Sequence, residues 1–243
     1  MDAMQQTRAD LAAALRLAER FGFHEGICNH FSAMVPGFNG GFLVNPQGLH
    51  WGEITASSLV LVDFEGKVLE GEHAVEATAF YIHGALHRRL PGARVVLHTH
   101  MPHATALTTL EDPTLEPISQ TALGFHGRIA YDHDYNGLAL DSAEGERIAA
   151  AMGDKPLAFL ANHGVVVTGP DMATAFNDLY YLERACELQI KALSTGRPLK
   201  QVSGQVAERT ARQFVEPDNA GQVAAHFAAL KRLLDRETPD YAH

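Results

Sequence analysis

Three histidines stand within six positions in RVVLHTHMPHATAL (94–107), and two of them, His98 and His100, close a run of apolar residues. On a strand, residues two apart point to the same face. His98 and His100 therefore present two imidazoles side by side, which suits a divalent ion. A lone buried His is ordinarily a hydrogen-bonded core residue; the HxH spacing at the end of an apolar strand sets this pair apart. A third candidate is His163, in LANHGVVVTG (160–169). There the chain reads as a strand, a sharp break at Asn162-His163-Gly164, and a second strand, and such a break can turn an imidazole off the end of a sheet. Three His with an open position form the ligand set of catalytic zinc, and imidazole also suits Fe(II), Co and Mn. The spacing predicts a divalent-metal site.

Placing these residues requires a sheet with helices on it. Leu11, Leu15 and Ala18 recur at helical spacing in an Ala-rich opening that ends at Gly22. FSAMV (31–35), GFLVN (41–45) and LVLVD (59–63) are short strand-like runs between turn-forming segments, and FEGK (64–67) reads as a hairpin-like connection. A helical pattern from Val75 to Leu90 stops before Pro91-Gly92. The strand 94–100 follows, with Pro102 near the start of the next helix. Further elements are a strand at 127–131, a helix at 142–153, strands across 157–169, a long helix after Asp171 and a last helix over Gln222–Asp235. No repeat, linker or low-complexity tract interrupts them, so a single α/β domain over residues 1–243 is expected.

The bulk composition excludes several function classes. Apolar residues make up 46% of the 243-residue chain and charged residues 20%, the balance of a soluble globular protein. The formal net charge of −10 and the absence of any basic cluster argue against nucleic acid or an anionic membrane as partner. No GxGxxG or GxxxxGK[ST] marks a nucleotide site. Cys28 and Cys186 cannot form a disulfide framework, and no run approaches a membrane span or a signal peptide. The expected address is the cytoplasm.

The chain also resembles the class II aldolase/adducin family, from the opening helix to about Gly196. The landmarks are GICNHFSAMVP (26–36), FLVNPQGLHWGEITASSLVLVDFEGKV (42–68), HGALHRRLPGARVVLHTH (83–100), DYNGLA (134–139) and LANHGVVVTG (160–169). The resemblance implies a three-layer αβα domain with a central, largely antiparallel sheet. It also implies a homotetramer with active sites at subunit interfaces, and a divalent ion, usually zinc, held by His98, His100 and His163.

One departure bears on the reaction. Sugar-phosphate aldolases carry Ser-Ser-Glu on the helix before the HxH strand, the Glu as base and the two Ser helping to hold phosphate. Aligned through His83 and Pro91, those positions are Ala77, Thr78 and Ala79 here. Glu76 stands one helical turn earlier on the same face. It could reach the site as acid/base, or it could remain a solvated residue stabilising the helix dipole; its position favours the second. The missing base resembles the adducin-like branch, although adducin itself lacks an intact metal triad.

Other candidates surround the triad. Asn29 and His30 lie in a loop that faces substrate in the family. His83 and His87 recur at i, i+4 on the helix before the metal strand: His83 as a ligand orienter or substrate contact, His87 as a surface residue. His103 is expected to cap the helix after HTH. Gln120, His126 and Tyr135 fall where the aldolases place a tyrosine acid from a neighbouring subunit, and Tyr135 is the phenol among them. The expected function is a metal-dependent lyase. It would cleave a C–C bond of a small, non-phosphorylated hydroxy, oxo or aromatic acid, by decarboxylation or retro-aldol reaction, through an enolate that the metal stabilises. An Fe(II) oxygenase and a non-catalytic adducin-like interaction module are the alternatives.

Overall fold

The computed structural model describes residues 2–243, with residues 217–220 described by their backbone alone. Helix α1 (Ala3–Arg20) starts at Asp2, whose carboxylate accepts from the Gln5 amide while the Gln5 side chain reaches back, a reciprocal cap. The strands are β1 (His30–Ala33), β2 (Phe42–Val44), β3 (Val60–Val62), β4 (Val68–Glu70), β5 (Val95–Thr99), β6 (Ile129–Asp132), β7 (Leu157–Leu160) and β8 (Gly164–Gly169). They form one eight-stranded sheet in the order β4-β3-β2-β1-β5-β8-β7-β6. Every neighbouring pair is antiparallel except β6 and β7.

The remaining helices are α2 (Ala77–Arg89), α3 (Pro102–Thr108), α4 (Gln120–Leu123), α5 (Ser142–Met152), α6 (Met172–Leu193), α7 (Gly204–Phe214) and α8 (Pro217–Glu237). Period-two alternation along the strands separates two apolar layers. Phe31, Leu43, Leu97, Phe159 and Val167 pack with Leu11 and Leu15 of α1, Leu107 of α3 and Phe176 of α6. Val96, Ala158 and Val166 face Ile82 and Leu86 of α2 and Ile148 of α5. The sheet is thus covered on both faces, as expected for an αβα architecture. No helix among the described residues is long and apolar enough to cross a membrane.

Two features position the site. The register sets His30 of β1 opposite His98 of β5, and Thr99 opposite Val165 of β8. Because Leu97 and Phe31 face α1 and α6, the alternate residues His98, His30 and Ser32 face α2. The start of α3 is fixed by Glu183 of α6, a buried carboxylate that accepts from the amides of His103 and Ala104, each at 2.9 Å, and from His103 Nδ1 at 2.8 Å. His103 is therefore turned toward α6.

Candidate metal centre

His98 and His100 come from the end of β5, and His163 from the turn between β7 and β8. One ring nitrogen of each lies within 4.8 Å of the others. The ring centroids are 4.8 Å apart for His98 and His163, 5.0 Å for His100 and His163, and 5.2 Å for His98 and His100. His98 Nδ1–H donates to the Val165 carbonyl at 3.0 Å. A carbonyl only accepts, so neutral His98 keeps its lone pair on Nε2. His100 Nδ1–H donates to the Glu25 carboxylate, which likewise leaves Nε2 bare; that atom is buried without a hydrogen-bond partner. Such outer acceptors fix the tautomer a metal ligand needs. Burial, then the neighbouring imidazoles, holds His98 well below the usual histidine range and brings His163 to about 4. The donor set fits a divalent ion: three imidazole nitrogens, with one orphaned atom among them.

Asn29 supports this centre from the backbone. Its φ of 75° is left-handed, and its Oδ1 accepts from the His100 amide at 3.2 Å. Gly164 supports it by having no side chain. A Cβ there would meet the Thr99 carbonyl oxygen and His100 Cδ2, each at 2.7 Å. Gly164→Ala is therefore expected to displace the His100 ring, weakening metal binding about 10- to 100-fold, the range for altered ligand support. Competition with a chromophoric chelator measures this; unchanged affinity would refute the steric account.

Beside the triad lies a second polar layer. The His30 ring stacks on His98 at 5.5 Å and meets His83 edge to face, also at 5.5 Å. His30 Nε2–H donates to Glu76 Oε2 at 2.9 Å, and Thr78 Oγ1–H donates to Glu76 Oε1 at 3.0 Å. Glu76 occupies the N-cap position of α2 yet makes no side-chain cap hydrogen bond. The reading of Glu76 as a solvated dipole residue is corrected: its carboxylate turns to His30, and that hydrogen bond lowers its pKa. Ala79 is buried against Phe42 and Val44. His87 also differs from expectation. It is buried against Phe42 and bonded to Ser32 and Ala93, because i, i+4 spacing puts it on the same inward face as His83.

Tyr135, in the loop after β6, is half exposed, with its ring 6.2 Å from that of His163 in the same chain. Gln120 and His126 are exposed. Gln120 lines a cavity of about 780 Å³ between α4, α6, α7 and α8, which no triad residue borders. A second His cluster, Glu19 with His24 and His50, also holds an unpartnered buried nitrogen, His24 Nδ1. His50 Nδ1 accepts from the Gly52 amide, so neutral His50 carries its proton on Nε2 and donates it to His24 at 3.2 Å. Sequence reasoning passed over Glu25 and Ser32. Ser32 had a signal, its two-residue spacing from His30 on one strand; Glu25 had none.

A family model described as Class II Aldolase and Adducin N-terminal domain matches residues 9–190. The solved structure of an aldolase II superfamily protein from Pseudomonas syringae is similar to 100% of this chain and 97% of that one, with a TM-score of 0.93 and 39% identity. That of an L-fuculose 1-phosphate aldolase from Glaciozyma antarctica has a TM-score of 0.85 at 25% identity, covering 98% of this chain and 92% of the other. Alpha-adducin of Rattus norvegicus is 34% identical over 243 residues, taking in 94% of this chain but 33% of the adducin.

Proposed function

Because the chain belongs to the class II aldolase and adducin family, we propose that it is a divalent-metal-dependent lyase, one domain over residues 1–243, that breaks a C–C bond in a small acid. The observation carrying this is the convergence of His98, His100 and His163, two of them pinned by acceptors on Nδ1 so that Nε2 is left free. An ion held there, zinc or alternatively Fe, Mn or Co, supplies Lewis-acid withdrawal of electrons from a substrate oxygen.

The surrounding residues divide the remaining work. Glu76 orients His30, and His30, His83 and Asn29 line the substrate side. Tyr135 Oη holds the proton delivered to the carbon that the departing group leaves behind. With Ala79 at the base position and Thr78 the one hydroxyl left of the phosphate pair, the substrate is a non-phosphorylated hydroxy, oxo or aromatic acid. Decarboxylation fits best, since it starts without abstraction of a proton. Assembly as a homotetramer would bring Gln120 and His126 toward a neighbour's site. Two free cysteines fit a cytoplasmic address.

A panel of such acids incubated with zinc-loaded protein, scored for carbon dioxide and aldehyde release, tests the reading. Cleavage should vanish on chelation. Tyr135→Phe should lower kcat about 10²-fold with metal affinity unchanged. Turnover strictly dependent on iron and O₂ would replace the lyase with an oxygenase. A partner-binding function indifferent to chelation would make the chain an interaction module.

A further inference from the structure

Behind the site runs a buried chain of polar groups whose protons can be placed one by one. His87 Nδ1–H donates to the Ala93 carbonyl at 2.6 Å, since that oxygen can only accept. Neutral His87 then has a bare Nε2, and the Ser32 hydroxyl donates its single proton there at 2.7 Å. With that proton committed, Ser32 Oγ accepts from His83 Nδ1–H at 2.6 Å. Neutral His83 is left with a bare Nε2, and that atom is buried without any hydrogen-bond partner. Both rings are neutral because burial dominates: it brings His87 to about 4 and holds His83 well below the usual range.

The bare atom belongs to a ring one removed from the histidine triad. Side chains on a helix lean back over the preceding turn, so the His83 ring lies over the turn of Ala79. Its edge contact with His30, which stacks on His98, connects it to the triad. An imidazole nitrogen without a proton accepts hydrogen bonds and repels carbonyl and carboxylate oxygens. The geometry points to His83 Nε2 as the acceptor for a substrate hydroxyl, with Ser32 and His87 as positioning residues, so that the site selects a 2-hydroxy acid over the matching 2-oxo acid. This rests on the reading of the triad as a metal centre for an acid substrate.

Two measurements on the full chain test it. The first is a long-range ¹H–¹⁵N spectrum of the metal-free, ¹⁵N-labelled protein. His83 should appear neutral and protonated on Nδ1, the minor tautomer of free imidazole. Ser32→Ala should release it to a mixture or to the Nε2–H form, and Ser32→Thr, which keeps the hydroxyl, should retain it. An Nε2–H His83 in the wild type overturns the proposal. The second is binding of lactate and pyruvate to the zinc-loaded protein. Lactate should bind about tenfold more tightly, and both Ser32→Ala and His83→Leu should bring the ratio near one while zinc is retained. Equal binding of the two acids by the wild type, or a ratio unmoved in both variants, overturns the selectivity alone. Binding of neither acid overturns the acid-substrate reading with it.

Discussion

Replacing His98 by Ala is expected to lower affinity for a divalent ion by more than a hundredfold and to abolish C–C cleavage. Altering the groups behind a metal ligand typically costs about 10- to 100-fold, and His98 itself supplies one of the three nitrogens that converge here among the described residues. The fold should survive. His98 contributes its backbone to pairs with His30 and Val166 in the middle of the sheet, and those do not depend on the ring. The ring itself is 1% exposed, so its loss leaves a cavity, but one bordered by polar imidazoles rather than by the apolar core. Chelator competition, a far-ultraviolet spectrum and the cleavage assay together separate loss of metal from loss of structure. Undiminished metal binding in His98→Ala would move the ion elsewhere, Glu19, His24 and His50 being the next donor set. His163→Ala should behave alike, since its ligand stands on a turn and contributes less to the sheet.

The convergence of His98, His100 and His163 was legible because its signals are local: a two-residue period on β5 and a break with glycine behind His163. The sheet was legible for the same reason, its strands being short runs that alternate between two covered faces. What escaped depends on contacts made at long range or on elements too small to carry a period. β4 is exposed along its length, so no buried face writes alternation into it. α4 is a single turn capped by Ser119, and α7 buries Ala207 alone. α8 begins at Pro217 rather than Gln222 because Pro suits the first helical position. His87 was read as a surface residue, whereas its environment is set by His83 one turn away and by Ser32 across the layer. Glu76 was read as a helix-end charge. Its partner His30 lies 46 residues earlier, brought there by pairing of β1 with β5.

The metal-free protein is expected to lose stability steeply as pH falls from 6.5 toward 4. His83, His87 and His98 are buried and His163 is partly so, and burial is the first cause of a lowered pKa in each. In the unfolded chain these groups titrate near 6.5. Below that pH the unfolded state takes up protons that the folded state refuses, so stability falls with pH and levels off only below the folded pKa values. Each group contributes a slope of about 1.4 kcal/mol per pH unit. For His87, between 6.5 and about 4, that amounts to ~3 kcal/mol. Several such groups together approach the 5–15 kcal/mol of a typical domain, so acid unfolding should begin above pH 4. Urea melts at pH 7.5, 6 and 5 measure it, and a flat stability over that range would contradict the neutral, buried assignment. His98→Ala should flatten the slope by one group's worth, ~1.4 kcal/mol per pH unit. Zinc should shift the loss to lower pH, because protons must then compete with the ion for the same nitrogens. Acid sensitivity and metal binding thus have one physical origin: imidazoles kept unprotonated inside the fold.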